Sequence, residues 1–303
     1  MEKEREGVVA GTTGHEKERT EGVAGRNEEG MVTPTRRDFL AMAGGGAMAL
    51  SGGAELLKAG QLPGQAIAGG GQQKDFANVM AIAAHPGDVF FAMGAPVAVA
   101  THLGGHGALL SLSLGEKGSP TIPAEQYGAA QREAGEKAAG MMGAKALFLP
   151  YPDGGIPISE EVKFAVCDVI REYKPTTVVT HWKGSWHKDH RACYEIVQDA
   201  IFYAALGGFV RKEPAHAVKK VFFADNWEDA TGFVADTYLD ITPVCDEWLN
   251  ACAAFPMWRG ENGFRYNDYY SSRAIGCGCL SQFKRAVALM SPEEQRVERV
   301  KVT

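Results

Sequence analysis

The chain has few cysteines, no long apolar run and no excess of positive charge. Six cysteines in 303 residues are too few for a disulfide scaffold of the kind thin-cored secreted domains rely on. No uninterrupted apolar stretch reaches the roughly 18 residues that cross a bilayer, so no stable membrane span is expected. A formal net charge of -6 gives a phosphate backbone little to bind, which excludes nucleic acid as a partner. Nucleotide loops are missing too. No G-x-G-x-x-G sits between a strand and its helix, and neither a Walker loop nor a G-x-S-x-G elbow occurs. What is there, 45% hydrophobic and 22% charged residues, is the composition of an ordinary globular protein.

Residues 1–30 carry no core-forming pattern. Glu2-Lys3-Glu4-Arg5 ahead of Glu6-Gly7-Val8-Val9-Ala10-Gly11 is echoed by Glu16-Lys17-Glu18-Arg19-Thr20 ahead of Glu21-Gly22-Val23-Ala24-Gly25. So polar a unit cannot bury a core. The stretch reads either as a disordered polar leader or as sequence ahead of a true start at Met31. Residues 31–70 read as an export signal of the twin-arginine type. Arg36-Arg37 precede the weakly apolar run Ala41–Leu50, and Ala66-Ile67-Ala68 offers small residues to a peptidase. Gly44–Gly46 and Gly52-Gly53 would weaken a helix kept in a core. The expectation is passage through the twin-arginine export machinery to a periplasmic or extracellular location. A charged tail is expected over residues 291–303.

From Phe76 onward apolar runs and helical patterns alternate. Val79–Ala84, Ala108–Leu114, Ala146–Leu149, Thr177–Thr180, Val218–Ala224 and Thr237–Ile241 read as strands. Between and after them Phe90–Leu103, Ala124–Met142, Glu160–Tyr173, Asp189–Ala205 and Val244–Phe255 read as helices. Gly143 and Pro175 stand where the second and third helices should stop. This order predicts an α/β domain over residues 75–290. It would be a Rossmann-like, open, mostly parallel sheet with helices on both faces. In such sheets the site lies beyond the carboxyl ends of the strands.

Those ends are rich in titratable groups. Strand one runs into His85-Pro86-Gly87-Asp88-Val89 and strand two into Gly115-Glu116-Lys117-Gly118. Strand three runs into Pro152-Asp153-Gly154, and strand four into His181-Trp182 and then His187-Lys188-Asp189-His190. A hydrolytic zinc site needs about three protein ligands and an open position. His85 and Asp88 share one turn, and the fold would bring His190 to them from another. Asp189 is placed to orient His187 through a hydrogen bond and so fix its tautomer. Taken singly, Asp88 and Asp189 also suit helix N-caps, and His181 reads as structural, packed with Trp182.

Ala84-His85-Pro86-Gly87-Asp88-Val89 resembles the A-H-P-D-D-E motif of the PIG-L/LmbE deacetylases. His187-Lys188-Asp189-His190 resembles that family's H-x-D-H. Gly115–Gly118, Arg132-Glu133 and Pro152–Gly154 resemble its G-E-x-G turn, its Arg/Glu pair and its P-D-G turn, in family order. The resemblance implies a zinc-dependent deacetylase that removes an acyl group from N-acetylglucosamine-type amino sugars. It implies one Zn2+ held by His85, Asp88 and His190. His187 would polarise the oxyanion, oriented by Asp189, and Glu116, Arg132 and Asp153 would contact the sugar.

The sequence also departs from the family. Gly87 stands where the family has its general-base aspartate, and Val89 replaces a glutamate. A positioned base is worth about 10²–10⁴ in rate. Glu116 and His187 are the replacements at hand, and Gly87 leaves room for a different substrate group. The expected function is therefore an exported zinc hydrolase acting on an N-acyl amino sugar, as a small molecule or within a glycan, or on a related amide. The alternative is a catalytically impaired relative that binds metal and envelope sugars. Two histidines and a carboxylate also make the ligand set of an iron oxygenase, although nothing else in the chain points to oxygen chemistry.

Overall fold

A computed structural model of the protein describes residues 73–296. The polar repeat, the export-signal region and residues 297–303 of the expected tail lie outside the described residues. So do the expectations attached to them.

β1 (Asn78–Ala83), β2 (His106–Ser111), β3 (Lys145–Phe148), β4 (Thr177–Thr180), β5 (Lys220–Ala224), β6 (Thr237–Asp240) and β7 (Ala286–Met290) form one sheet. Its order is β3-β2-β1-β4-β5-β7-β6. Every pairing from β3 to β5 is parallel, and β7 is antiparallel to both β5 and β6. One reversed strand therefore makes an otherwise parallel sheet mixed. The α/β class and the open, mostly parallel sheet are as the sequence led us to expect.

β1 shows why its sequence is an unbroken apolar run. Val79, Ala81 and Ala83 pack into one core cluster, while Met80, Ile82 and Ala84 pack into a second on the other face. A strand covered on both sides has no polar face to alternate with. The first cluster takes in α1 (Pro86–Phe91), α2 (Gly94–His102), α3 (Ala124–Met141), α6 (Cys245–Cys252) and α7 (Tyr266–Ser281). The second is covered by α4 (Glu160–Tyr173) and α5 (Lys188–Ala205).

Three details differ from expectation. The helix read over Phe90–Leu103 is two helices, because the Phe90 carbonyl accepts the Trp248 indole N–H at 2.8 Å. Trp248 also lies close to where a side chain at position 94 would stand, 3.1 Å from an added Cβ, so any larger residue would have to push the indole by a few tenths of an ångström. Helix α6 is shorter than the Val244–Phe255 reading and passes into a 3-10 turn at Pro256–Arg259. Neither α7 nor β7 was anticipated. The first residues of the expected tail are held to the sheet, since Gln295 accepts the Val221 N–H at 3.3 Å and Arg296 pairs with Asp236 at 2.8 Å.

Strand order reverses at β1, which has β2 on one side and β4 on the other. The chain leaves both β1 and β4 at the same edge, so their following turns face one crevice. His85 follows β1. His181, His187 and His190 follow β4.

Candidate metal centre

His85 is the N-cap of α1, with Pro86 at the first helical position. Proline has no N–H to lose there, and its fixed φ starts the helix at once. Asp88 then lies one turn on, with its Oδ2 3.0 Å from His85 Nδ1. The same Oδ2 is 3.1 Å from His190 Nε2. Asp88 Oδ1 accepts the Asn226 amide at 2.9 Å. Two imidazole nitrogens from two different strand ends thus meet at one carboxylate oxygen.

His190 is buried, and its other nitrogen is committed. Its Nδ1 lies 2.8 Å from Asp229 Oδ1, and Asp229 Oδ2 lies 2.7 Å from His181 Nδ1. His181 Nε2 accepts the Ala84 N–H at 3.2 Å, so His181 carries its proton on Nδ1 and donates it to Asp229. With Nδ1–H of His190 donating to the same carboxylate, Nε2 of His190 is the nitrogen left for a ligand. This is the carboxylate–histidine pairing that sets the tautomer of metal-bound imidazoles. His181, read from the sequence as structural, is an outer partner of the centre. Asp229, Asn226 and Glu228 were missed. They follow β5, and the strand-end rule that found the other groups would have reached them there.

His85 has a matching arrangement on its far side. Its Nε2 is 3.2 Å from Asp153 Oδ1 and 3.4 Å from Asp189 Oδ2. Neither contact has hydrogen-bond geometry, so among the described residues the buried Nε2 has ionic neighbours and no hydrogen-bond partner. Burial disfavours the charged ring, but Asp153, Asp189 and Asp88 outweigh it and raise the His85 pKa well above the imidazole range. At His190 burial is likewise outweighed, chiefly by Asp88 and Asp229, and the pKa rises to about 10. The five carboxylates Asp88, Asp153, Asp189, Glu228 and Asp229 crowd these rings and favour positive charge between them. That excess of carboxylates, and the convergence of His85 Nδ1 and His190 Nε2 on one Asp88 oxygen, fit a divalent cation such as zinc. Ligand atoms of His85, His187 and His190 also lie within 4.8 Å of one another, as do those of Asp88, His181 and His190.

Several residues stand differently from expectation. Asp189 does not orient His187 through its carboxylate. Its oxygens accept the N–H groups of Gly154 at 2.6 Å and Ile156 at 3.4 Å, fixing the P-D-G turn. His187 is instead the N-cap of α5, and its Nδ1 accepts the Asp189 backbone N–H at 3.2 Å. Its proton is therefore on Nε2. Burial and the neighbouring His190 and His85 charges press its pKa down to about 4, so a neutral donor faces the crevice. Asp153 is turned inward rather than toward a substrate. Its Oδ1 faces His85 and its Oδ2 accepts the Lys117 N–H at 2.9 Å. Glu116 Oε1 accepts the Asp153 N–H at 2.9 Å, and its Oε2 makes no hydrogen bond among the described residues. Arg132 points away and stacks over Phe148 at 4.8 Å; its neighbour Gln131 is the α3 residue that faces in. The room expected beside Gly87 is filled, since a Cβ there would lie 3.3 Å from the Met257 methyl. Glu228 Oε2 lies 3.5 Å from His190 Nε2. Burial and the Asp88 charge push its pKa up to about 7.

Residues 80–201 match the family model described as PIG-L, GlcNAc-PI de-N-acetylase. The 4-oxalmesaconate hydratase of Pseudomonas putida is 26% identical over 223 residues, covering 71% of this chain and 84% of that protein. The crystal structure of the 4-carboxy-2-hydroxymuconate hydratase of Pseudomonas putida shares the fold with a TM-score of 0.66. It is 22% identical, over 74% of this chain and 98% of that one. The N,N'-diacetylchitobiose deacetylase of Pyrococcus horikoshii shares it with a TM-score of 0.60 and 18% identity, over 72% and 88% of the two chains.

Proposed function

Starting from the chain's membership of the PIG-L (LmbE-like) family, we propose that it is a metal-dependent enzyme adding water to a conjugated oxo-carboxylate, as its hydratase relative's name describes. The observation that carries this reading is position 87. The carboxylate that would serve amide hydrolysis is glycine there, and the Met257 side chain packs over it.

The two reactions ask different things of the protein. An amide nitrogen leaves well only after it is protonated, so deacylation needs one group to take a proton from water and pass it on. Addition of water to a carbonyl-activated double bond has no leaving nitrogen. It needs activated water, a donor at the carbonyl oxygen, and a group that takes the proton from water and delivers one to the carbon next to the carbonyl. His85, Asp88 and His190 would hold the cation, with Asp229 orienting His190 and Asp153 and Asp189 behind His85. When bound, a divalent cation supplies Lewis-acid activation of water or of a substrate oxygen. His187, neutral with its proton on Nε2, donates to the oxygen that gains charge. Glu116, whose Oε2 makes no hydrogen bond among the described residues, would take the proton from water and return it to that carbon.

N-deacylation of an amino sugar is the second reading, and Glu228 is the observation in its favour. Its carboxylate stands on the metal-facing side of His190 and offers a base from a different turn. The discriminating experiment gives zinc-loaded protein 4-oxalmesaconate and a panel of N-acetyl sugars. Hydration of the former without acetate release is expected. Acetate release without hydration would overturn the proposal in favour of the second reading. Export belongs to the proposal through Arg36 and Arg37. Changing both to lysine should leave the precursor in the cytoplasm, and unchanged export of that variant would show that the pair is not a signal.

A further inference from the structure

The wall of the crevice beside Gly87 holds polar groups with almost nothing to bind. Gln131 is 2% exposed, and its Oε1 has no hydrogen-bond partner among the described residues. Its Nε2 donates only to the Met257 thioether, at 3.4 Å. Tyr127 is also buried, and its hydroxyl meets the same sulfur at 3.6 Å. The two residues are four apart on α3 and so share one face of it. Both donors thus converge on one atom, and a thioether is a weak acceptor. Buried polar groups this poorly satisfied are rare in native folds and call for an explanation.

Met257 connects this wall to the centre. Its methyl covers Gly87, and Gly87 separates Pro86 from the ligand Asp88. On the other side, a Cβ at Gly115 would lie 3.5 Å from His85 Cβ and 4.0 Å from Gln131 Nε2. Gln131 therefore reaches the same corner as His85. Met257 sits on the short Pro256–Arg259 turn, which ends at Gly260 with φ 106. Its unbranched side chain is the most adaptable of the apolar ones.

We propose that Met257 plugs a substrate subsite, and that Tyr127 and Gln131 bind an acceptor oxygen of the substrate when the thioether withdraws. The sulfur marks where that oxygen stands. A carboxylate or an acyl oxygen satisfies both donors, where sulfur satisfies neither well. The proposal rests on the metal-centre reading only for where the rest of the substrate lies.

Two measurements on the zinc-loaded full chain test it. The first needs no ligand. If the two polar groups serve a substrate rather than the fold, Gln131→Met and Tyr127→Phe should leave the melting temperature unchanged or raise it. A marked drop in both variants would show that the groups serve the fold, and would overturn the proposal. The second follows the Met257 methyl in protein carrying ¹³C-methyl methionine, with Met257→Leu identifying the signal. Acetate and acetamide are the probes, one for each oxygen source. A saturable shift is expected with one of them, weakened roughly five- to tenfold by Tyr127→Phe or Gln131→Leu, the loss of about one hydrogen bond. A signal that neither probe moves, or a midpoint that neither substitution changes, would also overturn it. Failure of the metal reading would show elsewhere, in zinc content unaffected by His190→Ala.

Discussion

Two clusters of buried charge lie on different parts of this fold, and they are spent differently. Arg171, near the end of α4, is 1% exposed and makes no ion pair among the described residues. It donates instead to the carbonyls of Tyr203, Ala204, Leu206, Phe209 and Glu213. These are the end of α5 and the loop beyond it, where unpaired carbonyls collect and a cation is favoured. The guanidinium has five N–H donors, and all of its nitrogens are engaged. At the other end of α5, His190 and Asp229 are just as buried. His85 Nδ1 and His190 Nε2 both face the one oxygen Asp88 Oδ2, and only protons lie between them and it. A saturated buried charge is a strut. One whose carboxylates hold protons on two facing imidazoles is equipped to exchange those protons for a cation.

The contrast is sharpest in substitutions. Arg171→Ala should have the largest effect on the fold, because it strands several buried carbonyls and leaves a cavity. A loss of roughly 3–5 kcal/mol is expected in denaturant titration, with zinc stoichiometry of the folded fraction unchanged. Loss of zinc in that variant would mean that the strut and the centre are one system. His190→Ala should lose zinc, and because it strands Asp88 and Asp229 it should also cost the metal-free protein stability, so its zinc content is read on the folded fraction. Its affinity should fall by more than the roughly 10–100-fold typical of an outer partner, and Asp229→Asn should fall within that range. Metal analysis after dialysis checks both. Equal zinc content in all three proteins would remove His190 from the ligand set.

Titration separates the two clusters again. The His190 pKa is raised from 6.5 to about 10 in the fold. The stability it gives the metal-free protein is therefore complete below about pH 6.5 and is lost as pH rises through about 10. Zinc takes the place of that proton, so the loaded protein should keep its stability over the same window. Binding at neutral pH should release about one proton from His190 and a further share from His85. Calorimetry in buffers of different ionisation enthalpy measures the release. Zinc uptake without any proton release would show that these rings are not the ligands.

Much of this was legible in the sequence, for identifiable reasons. Parallel strands buried on both faces leave apolar runs such as Val79–Ala84, and turns at their ends are short enough to read. His85, Asp88 and His190 could be picked out because they sit in such turns. What failed was anything fixed by tertiary contact. Arg132 and Gln131 are adjacent on α3, and only packing against Met257 and Phe148 decides which faces in. Asp153 and Asp189 point inward because His85 is there. Helix α7 escaped because Ser271, Ser272, Gly276 and Gly278 break up any apolar stripe.

Gly87→Asp should have the smallest effect, and it bears on which reaction the centre performs. The backbone permits aspartate, because position 87 lies in α1 and is not among the glycines with positive φ. The new Cβ would meet the Met257 methyl at 3.3 Å and Phe91 Cε2 at 3.5 Å. The methyl ends a flexible side chain and needs to move only a few tenths of an ångström, so the fold should lose no more than about 1 kcal/mol. The carboxylate would stand beside Asp88 and strengthen the pull on a cation, so zinc affinity should hold or rise slightly. If the centre is built for hydration, restoring this group changes neither the leaving group it can handle nor the donor at His187, and acetate release from N-acetyl sugars should stay absent. If the chain is a deacetylase lacking only its base, the same substitution should bring acetate release up by as much as about 10²–10⁴. A gain of that size would overturn the hydratase reading while leaving the metal centre intact.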